Sequence, residues 1–153
     1  MKKLLFILLP AMLLTIQSFA QKQEGREDFE KFKSMKISFL TEKLNLTPKE
    51  AENFWPEYNQ FEKERMEVQH RRRELEHKTR DENLKLSDQE IIKTTREIAT
   101  TFRKEAELAE MYNEKFLKIL PPQKVLALYR AENQFRAYMF EQYRMKKREN
   151  PDK

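Results

Sequence analysis

The side chains in this chain best suited to chemistry are His70, Glu74 and His77, which fall at i, i+4 and i+7 of a strongly charged run. On a helix that spacing aligns two imidazoles and a carboxylate along one face, a donor set suited to Zn²⁺ or Ni²⁺. The two histidines are nevertheless about 10.5 Å apart along the helix axis, so one ion could join them only if the helix bent. Histidines on an exposed charged helix are more commonly plain surface residues, and neither a metal nor a cofactor is expected. Catalysis finds less support still. There is no cysteine, and beyond the first twenty residues the only serines, Ser34, Ser38 and Ser87, have no histidine near them in sequence. Gly25 is the sole glycine, which excludes a glycine-rich phosphate loop. Neighbouring carboxylates such as Glu62 and Glu64, or Asp81 and Glu82, follow from a solvated charged surface. The chain reads as non-enzymatic.

The elements that carry these residues are helices. One glycine, six prolines and a charged fraction of 37% leave little material for sheets and their turns. A short pattern recurs at a 74-residue spacing. Leu46-Thr47-Pro48-Lys49-Glu50-Ala51 returns as Leu120-Pro121-Pro122-Gln123-Lys124-Val125, Phe54-Trp55 aligns with Leu128-Tyr129, and Asn59-Gln60-Phe61 recurs unchanged as Asn133-Gln134-Phe135. Each copy opens a helix, because proline suits the first helical position, where no backbone N–H is required. The expected fold class is all-α, a four-helix elongated hairpin or cradle with a long charged helical arm.

The first helix is expected from about Arg26 to Leu44, with Phe29, Phe32, Lys36, Phe39 and Leu40 at helical spacing. Thr47 caps the second helix and forms a capping box with Glu50. Its stripe runs through Ala51, Phe54, Tyr58 and Phe61, then through Arg65, Val68, Arg72 and Leu75, and Pro56 within it predicts a kink. From Glu62 to Glu82 most residues are charged. This arm must be held by a thin seam and by pairs such as Glu67 to Arg71, Glu74 to Lys78 and Glu76 to Arg80, each contributing about 0.2–0.5 kcal/mol. A turn is expected near Leu84 to Leu86. Ser87 and Glu90 make a second capping box, opening a third helix with a stripe of Ile91, Thr95, Ile98, Phe102, Glu105, Ala109, Tyr112, Phe116 and Ile119. Folding these helices antiparallel brings Phe61 towards Tyr112, and Glu105 towards Arg65 and Val68. Pro121 and Pro122 then end the third helix and start the fourth.

The N-terminus reads as an export signal. Lys2 and Lys3 precede an apolar run from Leu4 to Ile16, and Ser18-Phe19-Ala20 supplies small residues for cleavage after Ala20. Residues 21–153 form one helical domain, expected in a bacterial periplasm. Removing Lys2 and Lys3 lowers the formal charge from +5 to +3, and the remaining charges of both signs are interspersed. Together with export, this argues against a nucleic-acid partner. The stretches from Gln21 to Gly25 and from Glu149 to Lys153 are expected to fray.

The fourth helix has too many apolar residues for one stripe. Val125, Leu128, Phe135 and Met139 make one face, and Leu126, Tyr129, Phe140 and Tyr143 a second, about half a turn away. Either both faces pack within the monomer, or one is a homodimer seam or a client surface, for which Tyr129, Met139, Phe140 and Tyr143 are the preferred contacts.

The paired helix openings, Leu46-Thr47-Pro48-Lys49-Glu50 and Leu120-Pro121-Pro122-Gln123-Lys124, resemble the Spy/CpxP family of periplasmic helical proteins, whose signature is a twice-occurring Leu-Thr-x-x-Gln. Glu50 and Lys124 stand where the signature has Gln, and Pro121 where it has the second Thr. Leu-Thr-Pro followed by Phe-Trp-Pro-x-Tyr-Asn also resembles exported proteins described as sensors of extracytoplasmic-function sigma factors. The resemblance implies a curved, four-helix, dimeric cradle that binds unfolded or stress-related envelope proteins without ATP. Its alternatives are a dedicated partner of a membrane sensor or anti-sigma factor, and a periplasmic metal sensor. After cleavage of the signal, no stable membrane insertion is expected.

Overall fold

The computed structural model describes residues 30–80 and 85–149. The apolar N-terminal run and its expected cleavage site, Phe29, the start of the first helix, Asp81, Glu82 and Leu84 before the third helix, and the last four residues lie outside them. Four helices are present: α1 over residues 30–44, α2 Pro48–Arg80, α3 Asp88–Ile119 and α4 Pro122–Glu149. Among the described residues there is no strand, and none of the helices is long and apolar enough to cross a membrane.

Each boundary has a local cause. α1 ends at Asn45, whose φ of 46° lies in the left-handed region that asparagine tolerates better than most residues. At the start of α2, Thr47 donates its backbone N–H to Glu50 Oε2 at 2.8 Å, and Glu50 N donates back to Thr47 Oγ1 at 3.3 Å, completing the expected capping box. Ser87 and Glu90 repeat the device on α3. Leu120 is extended, as a residue before proline must be, and its N–H closes α3 on Phe116 O at 2.8 Å. The repeated motif keeps its register: Ala51 N bonds Thr47 O at 2.9 Å, and the equivalent Val125 N bonds Pro121 O at 3.2 Å.

The chain divides into two compact units. In the unit of residues 44–130, α2 and α3 pack as an antiparallel pair around an aromatic ladder. Phe54, Tyr58 and Phe61 project from successive turns of α2 and meet Tyr112 and Phe116 of α3, with ring centroids at 5.4 Å for Phe54 and Phe116 and 5.1 Å for Phe61 and Tyr112. Each ring contributes about 1.5–3 kcal/mol by burial, and each ring pair adds about 0.5–1.5 kcal/mol. Phe61 thus faces Tyr112, as the antiparallel reading requires.

Beyond Phe61 the seam turns polar. Leu75 is the only buried apolar side chain of α2 in that stretch, and Arg72 occupies the seam between them. It pairs with Glu105 and lies 4.1 Å from the centre of the Phe102 ring. Glu105 bonds α2 at Arg72, and at Gln69 (2.6 Å), and it lies close enough to Arg65 for that charge to help hold its carboxyl down. The α3 stripe departs from its expected line. Thr101 is buried while Phe102 and Ile91 are exposed, because a seam centred on an ion pair does not draw apolar side chains inward. The expected i, i+4 pairs of the arm do not form among the described residues. Arg71 reaches across to Glu97 (3.0 Å) and along α2 to Glu74 (3.6 Å), since the neighbouring helix offers a carboxylate within reach.

The other unit contains residues 30–43 of α1 and 131–149 of α4. Phe135 is its centre, flanked by Phe32 and Phe39 with both ring centroids at 5.4 Å. Leu40 and Ala131 are buried. Lys36, the one charged member of the α1 stripe, is also buried and pairs with Glu132 at 3.3 Å.

Candidate binding surfaces

α2 and α3 line an open groove of about 1180 Å³. Its apolar lining comes from Val68 and Leu75, seven residues apart on α2, and from Ile92, Leu108 and Met111 on α3. Leu75 is buried, but Ile92 and Met111 remain almost half exposed, at 48% and 45%.

The charges along the groove are unequally matched. Glu97 is taken by Arg71, and Glu107 pairs with Arg103 at 3.5 Å. Glu64 accepts from Gln60 (2.7 Å) and from the Tyr112 hydroxyl (2.9 Å), and these two bonds, Gln60's first, hold its carboxyl below the usual range. Burial, then the bond to Glu64, pushes the Tyr112 phenol up. On α3, Lys93, Arg96 and Lys104 line the groove with side chains in no ion pair among the described residues, and on α2 Glu64 and Glu67 do the same. The surface therefore offers an apolar floor flanked by unpaired cations on α3 and unpaired carboxylates on α2. It exceeds the roughly 300–1,000 Å³ of ordinary small-molecule pockets and is open to solvent, which suits a polypeptide segment better than a compact ligand.

His70, Glu74 and His77 line a second groove of about 920 Å³, with Arg73, Lys78 and Lys93. His70 Nδ1 lies 3.4 Å from Glu74 Oε1, and among the described residues no three metal-ligating side chains are gathered to hold an ion. α2 runs unbroken from Pro48 to Arg80. Ser87 is committed to its cap, donating to Glu90 Oε2 at 2.8 Å.

The helix-opening motifs carry a finding of their own. Leu120 is buried, Leu46 half-buried, and Pro48 and Pro122 begin their helices. Lys124 Nζ donates to Glu50 Oε2 at 2.7 Å and to the Asn45 carbonyl at 2.6 Å. The bond from Lys124, followed by the Thr47 backbone N–H, holds the Glu50 carboxyl below the usual carboxylate range. Glu50 and Lys124 are equivalent positions of the repeat, and they bond to each other.

Of the α4 contacts expected to bind a client, Tyr129 belongs to the unit of residues 44–130, and its hydroxyl donates to Asn113 Oδ1 at 2.8 Å. Met139, Phe140 and Tyr143 belong to the other unit, where Met139 is half-buried and Phe140 and Tyr143 are exposed. Among the described residues, Leu126, Phe140 and Tyr143 of the second α4 face are thus exposed. The groove residues Ile92, Leu108 and Met111 were hidden in the sequence because each lies off the main α3 stripe. Leu108 and Met111, three apart, together with Val68 and Leu75 are the signal that could have found them.

No family model, curated protein or solved structure matches the chain.

Proposed function

We propose that this chain is a non-catalytic, exported helical binding protein that holds unfolded polypeptide segments without ATP, as its resemblance to the Spy/CpxP family implies. The supporting observation is the α2–α3 groove, with its apolar floor and the unpaired cations Lys93, Arg96 and Lys104. Unfolded chains expose apolar side chains together with charge, and both find complements there. Export through the N-terminal signal would place the groove among envelope proteins, and an envelope stress response would supply its clients.

Magnitudes favour loose holding. Covering Val68, Ile92, Leu108 and Met111 contributes at most about 1.5–3 kcal/mol for each side chain. Association and ordering of a flexible client cost about 4–15 kcal/mol, so the net affinity is weak and salt-sensitive. A weakly held client can fold while bound. The test is suppression of light scattering from an aggregating, unrelated protein. Suppression near equimolar ratio supports the proposal. Tight one-to-one binding to a single membrane-sensor domain or anti-sigma factor, with no effect on unrelated clients, would instead make the chain a dedicated regulatory partner.

A further inference from the structure

Phe140 and Tyr143 are the most exposed large hydrophobic side chains among the described residues, at 64% and 65%. They stand three apart on α4. Arg136, Arg144 and Lys147 fall four before, four after and seven after Phe140, so at 3.6 residues per turn all five share one face of the helix. The opposite face is spent on Ala131 and Phe135, which are buried in the unit with α1. Arg136, Arg144, Lys147 and the neighbouring Arg148 are all exposed, and none forms an ion pair among the described residues. The Arg144 guanidinium lies 5.9 Å from the centre of the Phe140 ring. Glu141 is the only acidic residue from Arg136 to Arg148.

Size and charge decide between the occupants of such a face. Two aromatic rings at this exposure offer about 200–300 Å² of contact. A stable protein interface, including a dimer seam, needs about 800 Å² from each partner. The face is too small for that but sufficient for a bilayer surface, where aromatic rings settle at headgroup depth and several cations add up against anionic lipid. We infer that the C-terminal half of α4 is a docking face for anionic lipid bilayers, with Phe140 and Tyr143 seated among the headgroups and Arg136, Arg144 and Lys147 on lipid phosphates. This role is separate from polypeptide holding in the α2–α3 groove and does not rest on it.

The test is co-flotation of the full chain with vesicles of phosphatidylethanolamine and phosphatidylglycerol, compared with pure phosphatidylcholine, at low and high salt. The variants are Phe140→Ser with Tyr143→Ser, and Arg136→Gln with Arg144→Gln and Lys147→Gln. All five positions are exposed, and circular dichroism confirms that the variants keep their helices. Any contribution from the apolar N-terminal run is common to every variant. The expected result is preference for the phosphatidylglycerol vesicles, lost in high salt. The three cation substitutions together should weaken binding about a hundredfold, at about fivefold each, and the aromatic pair about tenfold. Equal binding to both vesicle types, undiminished binding by the variants, or capture of soluble polyglutamate in place of vesicles would overturn the inference.

Discussion

Glu50 and Lys124 stand at the same place in two copies of one helix-opening motif, 74 residues apart, and their side chains meet at 2.7 Å. A repeat that places identical residues at both positions would set like beside like. Opposite charges turn the juxtaposition into a bond, and Glu50 also serves the Thr47 cap. Lys124→Glu should lower the thermal midpoint by opposing two carboxylates and releasing the Asn45 carbonyl. Glu50→Lys should lower it further, because the cap is lost as well. The double exchange restores the pair but not the cap, so its midpoint should fall between wild type and Glu50→Lys. Thermal melts followed by circular dichroism measure all three.

The pair of Arg72 and Glu105 predicts a second asymmetry. Both side chains are largely covered, with 13% and 26% of their surfaces exposed. Glu105→Leu alone strands the Arg72 guanidinium in the seam and should cost about 1–3 kcal/mol, at or below the lower end of the range for buried pairs because solvent still reaches it. Arg72→Leu with Glu105→Leu should recover most of that loss by joining apolar side chains across the seam. Urea denaturation gives both values, and a double variant no more stable than the single one would show that the pair does not organise the seam.

Acid should loosen the helix caps. Glu90 is held below the usual carboxylate range by the Ser87 backbone N–H, then by the Ser87 hydroxyl, and Glu50 by Lys124 and Thr47. For Glu105, burial raises the pKa but the bonds from Gln69 and Arg72 outweigh it, so its carboxyl is also lowered. A carboxylate lowered in the folded state contributes stability above its unfolded pKa, near 4.5, and loses it as the pH falls through the folded value. Stability should therefore be flat from neutral pH to about 5 and decline below about 4.5. Lys115, raised chiefly by its bond to Glu57, contributes stability below its ordinary pKa of 10.5 and loses it as the pH rises through the folded value.

Much of the helical layout was legible in the sequence. The caps at Thr47 and Ser87, the proline break at Pro121 and Pro122, and the facing of Phe61 and Tyr112 all follow from short-range rules of spacing and hydrogen bonding. The middle of the helix pair was legible only in part. Periodicity places Arg72 and Glu105 on the two seam stripes, but it also assigns Phe102 to the seam, whereas in the structure the ion pair fills that place and Phe102 lies outward beneath the guanidinium. The groove was missed because Ile92, Leu108 and Met111 lie off the main α3 stripe. Glu50 and Lys124 were visible as departures from a signature, but their bond depends on tertiary placement that no local pattern encodes.

The groove can be separated from the fold by substitution. Ile92→Asp with Met111→Asp changes two half-exposed side chains and should leave the thermal midpoint nearly unchanged, because neither contributes to the aromatic ladder. If the groove holds polypeptide, the pair should reduce suppression of client aggregation severalfold. Lys93→Gln with Arg96→Gln and Lys104→Gln should reduce it at low salt and have little effect at high salt, where the cations are already screened.

The most direct measurement is light scattering from an aggregating, unrelated client titrated with the chain and with the Ile92→Asp, Met111→Asp variant, at low and high salt. The account predicts suppression near equimolar ratio by the wild type, weakened by salt, and little suppression by the variant. Suppression by the variant equal to that of the wild type, or none by either, would contradict the claim that the α2–α3 groove holds unfolded chains.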